Sequence, residues 1–243
     1  MSEFIIDSTD ATFVDFNQAS IAIDACFLLA YLDNDDPRGD KVSLLLDKWS
    51  KEKINELVIT NKVAAEIIHN LFKNKIRDII YLIHKMNTQK YSPTKEELQI
   101  IGDINTARNL IKYVPKSKLD ELVKCGELYY NIGTILKDYK LNESNREGLH
   151  CYYSHAVETF QGTIRDLSTH FSINVTTPDL DDNEVQELAL SLVRMQQLDV
   201  FDAFHIASSS INGCNFFATL DSDFINSYYT KETIGKLKIL KVA

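Results

Sequence analysis

The sequence predicts an α/β fold built on a mostly parallel sheet. Short apolar runs typical of strands alternate along the chain with stretches whose apolar residues recur at helical spacing. Strands separated by helices usually pair in parallel and carry helices on both faces of the sheet. The strand-like runs are SIAID (20–24), ELVIT (56–60), SINVTT (172–177), NFFATL (215–220) and KLKILKV (236–242).

The first predicted strand ends in an acid that leads directly into a helix. Asp24 closes SIAID, and ACFLLAYLD (25–33) follows with a helical pattern. After Pro37, a second helix is predicted through DKVSLLLDKWSKEK (40–53). Asp24 is therefore expected at the C-terminal end of a strand.

The second predicted strand, ELVIT, is followed by a helix that carries another acid. Thr60 or Asn61 can cap the helix KVAAEIIHNLF (62–72), and Glu66 lies in its second turn. The order of strand, helices, strand and helix is that of an α/β unit with a parallel sheet.

The middle of the chain, residues 86–170, has helical patterns and no convincing strand. TKEE (94–97) is a capping box, Pro115 marks a break, and YYSHAVETFQGTIRDL (152–167) predicts a long helix. This pattern predicts a helical insertion in a discontinuous domain made of residues 1–85 and 171–243. Its expected apolar stripe consists of Leu119, Leu122, Val123, Leu128, Ile132, Ile135 and Leu136.

The C-terminal part returns to the α/β pattern. Helices are predicted through NEVQELALSLVRMQ (183–196) and DVFDAFHIASSSIN (199–212), the second of which is stopped by Gly213. NFFATL then leads to Asp221, and KLKILKV is the expected final strand. In open parallel sheets the active site lies beyond the C-terminal ends of the strands, where Asp24 and Asp221 are expected.

Four acids from remote segments are candidates for one site: Asp24, Glu66, Asp202 and Asp221. Asp199 and Asp202 also share one side of an otherwise apolar helix, which is costly unless a cation joins them. Carboxylate oxygens suit Mg²⁺ or Mn²⁺, and such sites hydrolyse phosphodiester bonds with metal-activated water. The sequence has no nucleophile elbow, Gly-rich phosphate loop or HExxH motif, so no protein nucleophile is indicated.

These segments resemble the PIN-domain nucleases. The likeness rests on IDACFLLAYLD around Asp24, on AAEIIHNL around Glu66, on DVFDAFHIASSSINGCNFFATLDSDF around Asp202 and Asp221, and on their order. It covers residues 20–85 and 171–243. The resemblance implies a three-layer α/β/α sandwich, four acids around Mg²⁺ or Mn²⁺, and endonucleolytic cleavage of RNA.

By position, the resemblance makes Asp24, Glu66, Asp202 and Asp221 the catalytic acids. It implies that Asp24, Asp202 and Asp221 bind the metal while Glu66 orients or activates the water. RNA is the implied substrate, with single-stranded DNA as an alternative. Toxin members are held by a small antitoxin protein and family members often dimerise, so an antitoxin and a homodimer are candidate partners.

Other readings of these residues and of the chain stay open. Within the enzymes, the frequency of toxins in the resembled family favours a toxin, whereas the chain length and the helical insertion favour a stand-alone RNA-processing or repair nuclease. Outside the enzymes, the alternative is an inactive binding or scaffolding module that works through residues 86–170. Taken singly, Asp24 is typical of a helix N-cap, Glu66 of an exposed helical residue and Asp221 of a turn. Three neighbours are either members of the site or caps and packing residues: Asp199, Asp223 and His205.

Composition sets broad limits on the function. A formal charge of −9 argues against nonspecific adhesion to nucleic acid or anionic membranes. The four cysteines form neither a CxxC pair nor a zinc pattern, which fits a reducing cytoplasm. No stretch approaches the ~18 apolar residues of a membrane span, so no membrane contact is expected. Lys73, Lys75 and Arg77 are either a solvated face or an RNA contact.

Overall fold

The computed structural model describes residues 3–89, 91–125, 128, 130–178, 182–225 and 228–242. It confirms an α/β fold, with a six-stranded sheet in which every strand pair is parallel. The chain forms two compact units. Unit 1 consists of Met1–Ile67 and Gln161–Ala243, and unit 2 consists of Ile68–Phe160. The domain bounds expected from the sequence stay a prediction.

All strands of the sheet belong to unit 1. They are β1 (Ile5–Ile6), β2 (Ser20–Ile23), β3 (Glu56–Val58), β4 (Val175–Thr176), β5 (Phe216–Thr219) and β6 (Lys238–Lys241). Their order across the sheet is β1, β6, β5, β2, β3, β4, so β5 and β2 are its two central strands. The five predicted strands are present, β4 being much shorter than SINVTT, and β1 was not expected.

The described helices alternate with these strands and fill the middle of the chain. They are α1 (Ala25–Leu32), α2 (Gly39–Glu52), α3 (Asn61–Gln89), α4 (Lys95–Ile101), α5 (Ile104–Ile111), α6 (Lys116–Cys125), α7 (Ile132–Asn142), α8 (Gly148–Thr169), α9 (Asp182–Gln196), α10 (Val200–Ile211) and α11 (Lys231–Ile234). Two short 3₁₀ helices lie at Asp10–Phe13 and Ser222–Phe224. None of the described helices combines the length and hydropathy that crossing a bilayer requires.

The core of unit 1 lies on both faces of the sheet. Ala22, Phe217 and Ile239 pack against buried residues of α9 and α10. The alternate strand positions, such as Ile21 and Leu240, are also fully buried. Burial on both faces is why these strands read as continuous apolar runs and not as alternating ones.

Trp49 of α2 and Phe27 of α1 stack in the core of unit 1, with ring centroids 5.3 Å apart and planes 10° from parallel. Both side chains are fully buried. The sole tryptophan of the chain therefore packs on the first turn of the helix that follows Asp24.

Unit 2 has its own helical core. The predicted apolar stripe is confirmed as buried at six positions, whereas the side chain of Val123 lies outside the described residues. The buried Tyr152 hydroxyl donates to the carbonyl oxygens of Ile101 at 2.8 Å and Asp103 at 3.0 Å. The predicted capping box at Thr94 is also present. Residues 91–125, 128 and 130–160 contain no strand.

Candidate active site

Asp24 and Asp221 lie at the same edge of the sheet because they follow its two central strands. The register of β2 and β5 pairs Ile23 with Ala218. The Asp24 amide extends this ladder by donating to the Ala218 carbonyl oxygen at 3.3 Å. This edge is formed by the C-terminal ends of the strands, where ligands bind in open parallel sheets.

Thr219 connects the two acids. Its buried hydroxyl donates to Asp24 Oδ2 at 2.5 Å and accepts from the backbone amide of Asp221 at 2.9 Å. The other oxygen of Asp24, Oδ1, accepts from the amide of Phe27 at 2.8 Å and so caps α1. Each carboxylate oxygen of Asp24 is thus held by one donor and keeps further acceptor capacity.

Burial makes a negative charge on Asp24 costly. The residue is only 3% exposed, and this burial raises its pKa from 3.8 to about 6. Hydrogen bonds from Thr219 and Phe27 and the charge of His205 act in the opposite direction, while the charge of Asp221 adds to the rise.

Asp202 lies in the first turn of α10 and is half-buried. Burial raises its pKa to about 6, and the neighbouring charges of Asp199, Asp221 and Asp223 raise it further against the effect of His205. Asp199 is the cap of α10, since its Oδ1 accepts from the Phe201 amide at 2.9 Å. Asp199 therefore has the capping role that the sequence left open, and its negative charge also raises the pKa of Asp202.

Asp221 and Asp223 meet at the start of a 3₁₀ helix. Asp221 Oδ1 accepts from the amide of Asp223 at 2.9 Å, so Asp221 is a cap as well as a neighbour of Asp24. Asp202, Asp223 and Asp199 line an open cavity of about 420 Å³, together with Tyr228. Asp202 thus faces a space large enough for part of a nucleotide, which is the scale of a ligand pocket.

His205 links Glu66 to the other acids. It lies one turn after Asp202, is 7% exposed, and has its Nε2 atom 3.6 Å from Glu66 Oε2. Its Nδ1 atom has no hydrogen-bond partner among the described residues. The charge of His205 lowers the pKa values of both Asp24 and Asp202. The histidine is therefore within electrostatic reach of at least three of the four predicted acids.

Cys26 and Arg38 are two neighbours of the site that the sequence did not single out as members. Burial raises the pKa of the Cys26 thiol to about 12, and the charges of Asp24, Asp221 and Glu66 add to the rise. The charges of Cys26 and Asp24 help to raise the pKa of Arg38. Its guanidinium binds the Asp36 carboxylate, with Nη2 2.6 Å from Oδ2.

The donors available to a metal ion are carboxylate oxygens. Asp24 and Asp221 carry them at one edge of the sheet, and the charge of Asp221 raises the pKa of Asp202 on α10. Hard oxygen donors are the set that Mg²⁺ and Mn²⁺ prefer. Across the described ranges, no three His, Cys, Asp or Glu side chains are already arranged as a metal-binding group. The chemistry of the donors fits these metals.

Comparisons of the chain with protein-family models, curated proteins and solved structures returned no match.

Proposed function

We propose that this chain is a metal-dependent endoribonuclease of the PIN type, which hydrolyses RNA phosphodiester bonds at the acidic edge of the sheet. The observation that carries the proposal is the Thr219 hydroxyl, which joins the buried carboxylate of Asp24 to Asp221 between the central strands. A buried, hydrogen-bonded carboxylate with a raised pKa beside further acids is typical of a functional site. A solvated surface would not hold an aspartate in this way.

Asp24, Asp202 and Asp221 would hold Mg²⁺ or Mn²⁺. When bound, the ion would supply an activated water and charge stabilisation for the attacking and leaving oxygens. The raised pKa values of Asp24 and Asp202 support this assignment, because a divalent cation relieves the desolvation and repulsion that raise them.

The remaining residues orient groups and handle protons. The hydrogen bonds from Thr219 and Phe27 fix Asp24 in one orientation. Glu66 is exposed, so its carboxylate can accept a proton from the attacking water. His205, 3.6 Å away, restrains that carboxylate and stabilises its negative charge when protonated. The cavity beside Asp202, with Asp199 and Asp223 at its border, would hold part of the RNA strand.

The test is cleavage of structured RNA and of single-stranded DNA in Mn²⁺ or in excess chelator. Wild type is compared with Asp202→Asn, which keeps the size of the side chain and removes its charge. Asp47→Asn is the matched control, because Asp47 is an exposed aspartate of α2 in the same unit. We expect chelator and Asp202→Asn each to lower the cleavage rate about a hundredfold or more, while the control cleaves like wild type.

Equal cleavage by wild type and Asp202→Asn, or cleavage that survives chelator, would overturn the proposal. A folded wild type that neither cleaves RNA nor gains stability from Mn²⁺ would instead support the inactive binding module. Cleavage of single-stranded DNA alone would keep the metal chemistry and change the substrate.

A further inference from the structure

The two units differ sharply in charge. Unit 2, residues 68–160, contains 14 Lys and Arg against 11 Asp and Glu, a formal charge of +3. The rest of the chain contains 12 Lys and Arg against 24 Asp and Glu, a formal charge of −12. The net charge of unit 1 repels a polyanion, whereas the net charge of unit 2 attracts one.

Unit 2 has an open groove of about 480 Å³ between residues of α3, α7 and α8. No carboxylate is among the described side chains that line it, although Asp and Glu make up 11 of the 93 residues of the unit. The charged side chains of the lining are Lys137, Lys140 and Arg146, whereas burial and the charge of Lys73 lower the pKa of His69, which also lines the groove. The groove is thus a cationic surface of the unit.

An aromatic pair lies in the same groove. Tyr153 stacks on the buried Phe72, with ring centroids 3.9 Å apart and planes 8° from parallel. Tyr153 itself remains 38% exposed. Lys140 Nζ is 2.9 Å from the Tyr153 hydroxyl and 5.3 Å from its ring centroid. The ammonium therefore lies at the hydroxyl edge of the ring, which leaves ring surface open to the groove.

The charges of the groove are available to a ligand. Among the described residues, neither Lys137 nor Arg146 takes part in an ion pair. Glu143, which lies between them in sequence, accepts hydrogen bonds from the Tyr113 hydroxyl at 3.0 Å and from Asn109 Nδ2 at 3.3 Å. Glu143 is thus engaged elsewhere in the unit, and the acids next to Lys137 and Arg146 in sequence, Asp138 and Glu147, do not line the groove.

We propose that this groove of unit 2 binds a single-stranded polynucleotide, with one base stacked on Tyr153 and phosphates at Lys137, Lys140 and Arg146. Basic grooves with an exposed aromatic ring bind single strands in this way, because each base has a π-face and each linkage a charge. Double-stranded nucleic acid is disfavoured, since its bases are already stacked on one another. Binding at this groove stands apart from cleavage, and only its use as a substrate anchor rests on the proposed function.

The experiment measures the anisotropy of a labelled oligouridine in excess chelator, where the proposed cleavage cannot occur. We expect the double variant Lys137→Glu with Lys140→Glu to weaken binding about tenfold or more and to lower the salt slope by about 1.4, at ~0.7 per phosphate contact. Lys116→Glu is the charge control, because Lys116 is exposed on α6 outside the groove. Because Lys116→Glu reverses one charge and the double variant reverses two, the control should weaken binding by less than half as much on the free-energy scale.

Two substitutions at one position test the stacking. Tyr153→Leu removes the ring and should weaken oligouridine binding about fivefold or more, whereas Tyr153→Phe keeps the ring and should bind like wild type. An abasic oligonucleotide with the same phosphates should bind wild type more weakly than oligouridine and should not distinguish the two variants. Circular dichroism checks that each variant is folded. If Tyr153→Leu does not fold, the double lysine variant still tests the groove, because Lys137 is exposed and its replacement does not disturb the core.

Equal binding of abasic and base-bearing strands would overturn the stacking. A poly-glutamate peptide that binds as tightly as oligouridine would assign the groove to an acidic protein partner and overturn the proposal. Oligodeoxyuridine distinguishes DNA from RNA, and tight binding of either supports the groove. Loss of cleavage in Asp202→Asn with unchanged oligouridine binding would separate the two proposals.

Discussion

Replacement of Asp24 by asparagine should stabilise the metal-free protein. The substitution keeps the shape of the side chain, so the new amide oxygen can still accept from Phe27 and the new amide nitrogen can donate to Thr219. What it removes is a buried negative charge. The same substitution should abolish cleavage under the proposed function, so stability and activity should change in opposite directions.

The magnitude follows from the pKa of Asp24, which folding raises from 3.8 to about 6. The folded state therefore binds more protons than the unfolded state between these values, and stability falls as pH rises through that window. The cost is absent well below pH 3.8 and complete above about pH 6. It amounts to about 3 kcal/mol near pH 7.5 and about 1.6 kcal/mol near pH 5.

The assay is urea unfolding in excess chelator, followed by tryptophan fluorescence. Trp49 is the sole tryptophan and packs on Phe27, so its emission reports the unit that contains Asp24. Asp24→Asn should exceed wild type in free energy of unfolding by up to about 3 kcal/mol near pH 7.5, and by about 1.4 kcal/mol less near pH 5. The change of this difference between the two pH values is the more decisive measurement, because effects of the substitution that do not depend on pH cancel from it.

A difference between variant and wild type that stays constant across this pH range would refute the reasoning, since the stabilisation would then not come from the charge. Addition of Mg²⁺ gives a further comparison. It should stabilise wild type by mass action and leave Asp24→Asn nearly unchanged, so the gap between them should narrow.

Two other substitutions test single hydrogen-bonding groups. Thr219→Val should lower the free energy of unfolding by about 1 to 3 kcal/mol, because Asp24 loses a donor and the Asp221 amide loses its acceptor. Trp49 fluorescence measures this, and an unchanged urea midpoint would contradict it. Tyr152→Phe should lower the free energy of unfolding of unit 2 by about 1 to 3 kcal/mol, because the buried carbonyl oxygen of Ile101 and the partly buried one of Asp103 lose their donor. Hydrogen exchange of the α8 amides measures it, and unchanged protection would count against it.

The central strands could be predicted from sequence because their signals are local. SIAID and NFFATL are short apolar runs that end next to capping acids, and the structure contains β2 and β5 there. β1 has only two residues, and it exists through pairing of Ile5 with Ile239 of β6. No periodicity can reveal a two-residue strand. SINVTT is a strand only at Val175–Thr176, because β4 is an edge strand for which β3 is the one partner among the described residues.

The common edge of Asp24 and Asp221 could also be anticipated, since both follow predicted parallel strands. The hydroxyl that joins them could not, because the Thr219 to Asp24 hydrogen bond depends on the register of β2 and β5. The available signal was a hydroxyl residue near the end of an otherwise apolar strand. The approach of His205 to Glu66 depends on the packing of α10 against α3, for which helical spacing carries no information.

The hydrogen bond between Thr219 and Asp24 joins positions 195 residues apart, and the whole of unit 2 lies between them in the chain. Contacts of such long range are entropically costly to close and tend to form late in folding, whereas helices with short connections, like those of unit 2, form early. The acidic edge should therefore be among the last features to be assembled. A chain that has not completed its central sheet would hold its carboxylates apart, and the capacity for chemistry would arise together with the finished fold.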